Sequence, residues 1–437
     1  MIRALATFAF LALAALPARA IEIQQITSPG GIKAWLVEDH SIPFTALSLS
    51  FKGGASLDAP GKRGATSLMT ALLEEGAGEM NSVQFAEAVE GLGARLDFDA
   101  GDDSLIVSAR ALTENRDQAA ELLRLALTEP RFDADAVERV RGQLQSVIRN
   151  EATDPEAIAA KELARQAWGD HPYATSVNGT AESVAALTRD DLIDAKNRIL
   201  ARDRVVVAAA GDISAAELGA LLDKILGGLP EQGSAPLPQA AKLQLTGGVT
   251  VIDWESPQTV VTFAQPGLPI SDPDYFAAAV ADHILGGGGF SSRLMDEIRE
   301  KRGLTYGVST GLANKLYGDY WVGGMASANE KVAEAVDLIR QEWDRFAEGG
   351  VTDQELADAK TYLTGEYPLR FNGNGRIAGI LGAMQLIGLP ADYVNTRNAR
   401  VEAVTAEDVA RVSKRLLNSG EIRFVLVGRP EGITAGP

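Results

Sequence analysis

Residues 286–306 read GGGGFSSRLMDEIREKRGLTY: four glycines run into a short charged helix, and a glycine-terminated turn then delivers an aromatic residue. Ser291 or Ser292 is expected to N-cap that helix, which carries Leu294 and Ile298 on one face. Lys301 and Arg302 followed by Gly303 form the expected ending, with cations in the last turn and a glycine in the left-handed position beyond it. This places Arg299 in the last helical turn. Tyr306 opens an alternating run with Val308, Thr310 and Leu312 on one side, which reads as a strand leaving the turn. The polar tips of Arg299 and Tyr306 are therefore expected to converge. The glycines are followed by neither the Lys-Ser/Thr of a P-loop nor the pattern of a dinucleotide fingerprint, so the stretch does not read as a phosphate cradle.

Working outward, the chain repeats itself. Helix starts with Thr at 188 and Asp at 191 recur as Thr405 and Asp408, and the strand end Ala210-Gly211 recurs as Val427-Gly428, both at an offset of 217 residues (188 to 405, 211 to 428). Amphipathic stretches at 115–127 and 329–343 match at a similar offset. Two related halves of about two hundred residues each follow from this. Residues 227–246 open with GGLPEQGSAPLP, which lacks apolar periodicity and reads as a linker. It separates an N-terminal half, 21–226, from a C-terminal half, 247–437.

Within the first half, 32–38 and Phe44–Lys52 alternate like paired strands, 64–75 and 82–92 have helical periodicity, and 95–98 and 104–111 return to strand. Helical stretches follow at Arg116–Thr128, 134–150 and Pro155–Trp168, then a short buried strand at 205–210. Strands and helices alternate without a strict βαβ rhythm, which favours an α+β architecture.

Composition narrows the function. The 437 residues are 46% hydrophobic and 23% charged, ordinary for a globular chain. With 59 acidic against 41 basic residues the formal charge is −18, a field that repels nucleic acid and anionic membrane. There is no cysteine, which excludes thiol catalysis, disulfides and cysteine-based metal sites, and only His40, His171 and His283 remain as imidazoles. Arg3 precedes an apolar run from Ala4 to Leu16, and Ala18-Arg19-Ala20 supplies a small-x-small cleavage pattern. Residues 1–20 thus read as a signal peptide, the apolar run is too short to span a bilayer, and the mature chain is expected to start at Ile21 in the periplasm.

From Ile21 to Arg429 the sequence resembles the insulinase/pitrilysin-like zinc metallopeptidases, in their mitochondrial-processing-peptidase-like branch. The resemblance rests on GGGFSSRL followed by IREKRGLTY, with VEDHSIPF at 37–44 and Asp170, Pro172 and Tyr173 adding to it. It implies two α+β halves, each a mainly antiparallel sheet backed by helices, facing one another across a peptide-binding chamber. Active members carry an inverted H-x-x-E-H on the first helix of the first half, where two imidazoles hold zinc and the glutamate acts as general base. Laid on residues 64–76, that motif falls on Ser67, Thr70 and Ala71, which cannot do the job. Glu151 stands where a relic of the family's further glutamate ligand is expected. Structural or surface roles outweigh metal binding for the three histidines, so no metal or other cofactor is assigned to this chain and zinc is expected in a partner.

Arg299 and Tyr306 match the family's Arg and Tyr, which reach from the second half toward substrate at the zinc, and Gly287, Gly288 and Gly289 are expected beside the peptide. The resemblance therefore implies a non-zinc subunit of a periplasmic heterodimeric metalloendopeptidase, inactive alone and completed by a homologous zinc-bearing chain. The alternative is a catalytically inactive peptide-binding or scaffold subunit of a larger assembly.

Overall fold

In the computed structural model, which describes residues 21–436, the strands sort into two main sheets, one from each half. The signal segment expected at 1–20 lies outside the described residues. The first half supplies β1 (Gln24–Thr27), β2 (Lys33–Glu38), β3 (Phe44–Lys52), the small ribbon β4 (Gly76–Ala77) and β5 (Met80–Asn81), β6 (Arg95–Ala100), β7 (Ser104–Leu112) and β8 (Val205–Gly211). The second supplies β9 (Gly248–Asp253), β10 (Gln258–Pro266), β11 (Thr305–Lys315), β12 (Gly318–Ala328) and β13 (Arg423–Gly428).

The first sheet runs β1-β2-β8-β3-β7-β6 and the second β9-β13-β10-β12-β11, so apart from the added β1 the orders coincide. Each has one parallel pair, β2 with β8 and β9 with β13, and is otherwise antiparallel. The offset of 217 is thus a repeat of topology. Thr188 and Thr405 both close capping boxes with the aspartate three residues on. Gly211 and Gly428 both end their strands at positive φ, 125° and 156°, where a Cβ would lie 2.3 Å from the Phe44 carbonyl oxygen and 2.4 Å from Thr259 Oγ1.

Two expectations are corrected here. β2 and β3 are not partners: β8 inserts between them, parallel to β2 and antiparallel to β3, and its buried run at 207–211 thereby has backbone partners on both sides. The helix expected over 64–75 is Ala65–Ala71. Beyond it Leu72 and Leu73 bond back only three residues, to Met69 and Thr70, and Gly76 at φ 111° turns the chain into the ribbon.

Each half has its own core. Leu122, Leu123, Ala126 and Leu127 pack in one cluster with Leu49 and Phe51, and Val336, Ile339, Trp343 and Phe346 pack in another with Phe263 and Phe424. The opposite faces of the sheets are covered by exchange. Helix Pro155–Trp168 of the first half puts Ala159 and Leu163 against Ala264, Val425 and Val427 of the second sheet, and Gln166 donates to Thr250 Oγ1 at 2.9 Å. Reciprocally, helix Asn374–Leu386 of the second half puts Leu381 and Met384 against Ala208 of the first sheet and Ala378 against Ala46 and Ala210, with Gln385 donating to the Val207 carbonyl at 2.7 Å. Alanines on the strands let that helix approach closely. The exchange interlocks the halves and leaves β6 and β11 as the outer strands on corresponding edges.

Candidate functional site

The 286–306 stretch forms a loop, a short helix and the start of an edge strand. His283–Gly287 and Met295–Glu300 are π-helical, with Gly288 N–H bonded to the His283 carbonyl at 2.8 Å and Lys301 N–H to that of Asp296 at 2.9 Å, a widening common at functional sites. Ser292 has the extended backbone of an N-cap, but neither serine side chain caps the helix as expected. The hydroxyls turn back instead: Ser291 donates to the Gly288 carbonyl at 3.0 Å and Ser292 to that of Gly289 at 2.8 Å. The glycine turn captures them first. The far end is as expected: Gly303 at φ 61° bonds the Arg299 carbonyl at 2.8 Å and Leu304 that of Ile298 at 3.0 Å.

Tyr306 owes its direction to a bulge. Thr305 pairs with Ser327 and Val308 with Met325, so Tyr306 and Gly307 together face only Ala326. Thr305 Oγ1 holds the bulge, 2.6 Å from the Ala326 carbonyl and accepting from Gly307 N–H at 3.1 Å. Bulges re-aim side chains, and this one leaves Tyr306 88% exposed.

Arg299 meets it. Its guanidinium carbon lies 5.1 Å from the Tyr306 ring centroid and 4.4 Å from that of Phe290. Of the four cations at this helix, Arg293 is committed to Glu355 and the Gly350 carbonyl, Lys301 to Asp296 and Glu297, and Arg302 to Glu297. Arg299 alone makes no side-chain hydrogen bond among the described residues; Glu300 approaches its Nε at 3.5 Å. Donors held by ring faces and not by acceptors are available to a ligand. The sequence reading missed Phe290, although an aromatic directly after four glycines was the available signal.

Gly287 and Gly289 are exposed and Gly288 half-buried. Part of the demand for glycine is internal: a Cβ on Gly287 would stand 2.5 Å from Asp282 Oδ2, and Gly289 has φ 60°. Asp282 Oδ1 accepts from Thr310 and from the Trp321 indole, both at 2.7 Å, and burial raises its carboxyl to about 6.

The positions that a zinc ion would need do not fit one. Ser67 donates to the Val177 carbonyl at 2.7 Å, Thr70 is buried with an unpartnered hydroxyl, and Ala71 has no donor atom. Glu151 is already engaged, accepting from Asn178 Nδ2 at 2.6 Å and from Ser176 at 3.4 Å. No group of three or more His, Asp or Glu side chains suited to a metal occurs among the described residues. The histidines are dispersed. His40 pairs with Asp212 at 2.6 Å, which raises its pKa; His171 packs on Tyr173 and His283 stacks on Tyr362, and burial lowers both.

Tyr306 lies at the opposite end of β11 from the contacts that approach that place. Lys315, at the far end of β11, pairs with Asp102 at 2.7 Å, and Asp102 with Arg63, just ahead of the Ser67 helix, at 3.1 Å. Lys315 is nine residue steps along β11 from Tyr306 (306 to 315), on the order of 30 Å.

Comparison with known proteins bears on both places. The family model described as Insulinase (Peptidase family M16) matches residues 33–181, and the one described as Peptidase M16 inactive domain matches 186–363. Among curated proteins, the non-peptidase homolog YmxG of Helicobacter pylori is 28% identical over 395 residues, covering 89% of this chain and 90% of that protein. A probable mitochondrial-processing peptidase subunit beta of Schizosaccharomyces pombe is 26% identical, covering 91% and 89%. Among solved structures, a peptidase M16 inactive domain from Pseudomonas fluorescens superposes with a TM-score of 0.87 at 31% identity, over 95% of this chain and 99% of that one.

Proposed function

Since the chain belongs to the insulinase (M16) peptidase family, is similar to its inactive branch and carries Ser67, Thr70 and Ala71 in place of metal ligands, we propose that it serves a peptidase site completed by another chain. In this reading a homologous subunit brings the zinc, and this chain brings Arg299 and Tyr306 to the peptide bound there. The observation that carries the proposal is the state of Arg299: among the described residues it alone of the cations at its helix makes no side-chain hydrogen bond, its one ion pair being Nε to Glu300 at 3.5 Å, and it lies beside an exposed phenol that a bulge aims outward. A carbonyl becoming a tetrahedral oxyanion calls for such donors, charge from the guanidinium and direction from the phenol. Tyr306 sits at the end of β11 opposite Lys315, whose pairing with Asp102 approaches the Ser67 helix, and this supports a site completed by another chain.

Two further features support a peptide ligand. Among the described residues, edge strands β6 and β11 have one backbone side without a strand partner, the requirement for pairing with an extended peptide. The glycine turn of Gly287, Gly288 and Gly289 leaves room for a peptide backbone next to Arg299. The periplasm is proposed as the compartment from the signal-like segment at 1–20; no helix of the described residues is long and apolar enough to cross a membrane. The rival reading, an inactive binding or scaffold subunit, draws on the non-peptidase relative.

The test is assembly. Co-expressed with a secreted homologue bearing an intact H-x-x-E-H, the chain should co-elute in size-exclusion chromatography at micromolar concentration and cleave a fluorogenic peptide that neither chain cleaves alone. Separate elution, with or without peptide, favours the scaffold.

A further inference from the structure

Phe290 is 69% exposed and belongs to none of the hydrophobic clusters of the described residues. The backbone that presents its ring is nonetheless held. Gly289, at φ 60°, reverses the chain immediately before it, and the Ser291 and Ser292 hydroxyls tie down the Gly288 and Gly289 carbonyls behind it. The guanidinium of Arg299 lies against this ring at 4.4 Å, closer than to the Tyr306 ring at 5.1 Å. Arg293 on the same helix shows the other way of fixing an arginine: Glu355 and the Gly350 carbonyl take its donors. Ring faces fix the plane of a guanidinium without using a single N–H.

We propose that Phe290 is the third member of the site: it positions Arg299, and its open face receives an apolar side chain of the peptide next to the carbonyl that Arg299 and Tyr306 address. The inference rests on the reading above for its kinetic part. Because Phe290 and the guanidinium are in contact, a residue flanking a carbonyl held by Arg299 comes within reach of the ring. The substrate class is therefore an extended peptide with an aliphatic or aromatic residue beside the scissile bond, and an acidic or glycine residue there is disfavoured.

The experiment uses Phe290→Leu, Phe290→Ala and the conservative Phe290→Tyr, in the full chain and in its complex with a zinc-bearing homologue. Against fluorogenic peptides carrying Phe, Leu, Gly or Asp at the flanking position, Phe290→Leu should lower kcat roughly three- to thirtyfold through the lost ring face. Phe290→Ala should in addition abolish the KM preference for Phe and Leu, and Phe290→Tyr should restore both. On the isolated chain, the Arg299 Nε–H resonance should be displaced by ring current in wild type and Phe290→Tyr and move toward its solvent-exposed position in Phe290→Leu, with the melting temperature unchanged. If no complex forms or cleaves, the functional reading fails while this spectrum still reports on positioning. An Arg299 resonance identical in wild type and Phe290→Leu overturns the positioning role, and unchanged peptide preference in Phe290→Ala overturns the platform.

Discussion

Arg299 lies over the ring of Tyr306, its guanidinium carbon 5.1 Å from the ring centroid, although one residue ends a π-helical turn and the other opens an edge strand. The contact joins an arginine that makes no side-chain hydrogen bond to a phenol that makes none either among the described residues, which is the arrangement expected of groups that act on something else.

Arg299→Ala should depress peptide cleavage in the reconstituted complex by on the order of a hundredfold, and Arg299→Lys should recover only part of this, because an ammonium neither stacks nor forks. If Arg299 also binds substrate carbonyls in the ground state, KM rises as well. Arg302→Ala is the control: its charge is spent on Glu297, which Lys301 also neutralises, so activity should stay near wild type. Equal losses in Arg299→Ala and Arg302→Ala would point to general charge and not to a site.

Zinc content should separate this chain from a zinc-bearing homologue. After dialysis against a weak chelator, elemental analysis of the isolated protein should find no stoichiometric zinc. Ser67→His with Ala71→His places two imidazoles one helical turn apart, and Asn178→Ala releases the Glu151 carboxylate from its 2.6 Å bond. The triple variant should retain about one zinc per chain. Zinc retained by wild type, or none by the triple variant, contradicts the assignment of these positions.

The buried carboxyl of Asp282 gives a signed pH effect. Its folded value, about 6, lies above its ordinary 3.8, so between these the folded chain holds more protons than the unfolded one. Stability from this group is therefore fully present below about pH 4 and lost as pH rises to about 6, by at most roughly 3 kcal/mol. Asp282→Asn keeps an acceptor for Thr310 and Trp321 and should flatten that part of the stability–pH curve. A wild-type curve that rises relative to the variant between pH 4 and 6 has the wrong sign for this account.

The helix exchange predicts coupled unfolding. Leu163 and Leu381 are buried against the opposite sheet, and truncating either to Ala should cost about 2–5 kcal/mol. In urea, tryptophans of both halves, Trp35 and Trp343, should report a single transition shifted together. Two transitions, one unmoved, would show halves that fold independently.

Much of this was legible in the chain. Phe44–Lys52, Arg116–Thr128 and Pro155–Trp168 fall at the bounds their periodicity gave, and Gly211 with Gly428 marked the repeat by their offset of 217 residues, each at a strand end where a Cβ would crowd a neighbour. Insertion of β8 between β2 and β3 was not legible, since pairing across more than 150 residues leaves no local trace. The helix exchange hid for another reason: Ala159 and Leu163 look the same whether they face their own sheet or the other one. Arg299 and Tyr306 were readable through the Gly303 stop between them, whereas the engagement of Glu151 by Asn178 and of His40 by Asp212 depends on loops brought together only by the fold.

Single-turnover cleavage by the complex of this chain with its zinc-bearing homologue, comparing wild type with Tyr306→Phe at saturating peptide, tests the central claim most directly. The exchange removes one oxygen from a side chain that is 88% exposed, so folding, assembly and the partner's zinc should be untouched. The account predicts a rate lower by roughly a hundred- to a thousandfold, with peptide affinity unchanged. A wild-type rate from Tyr306→Phe would mean that the phenol donates to nothing in the transition state and that the chain is a structural subunit.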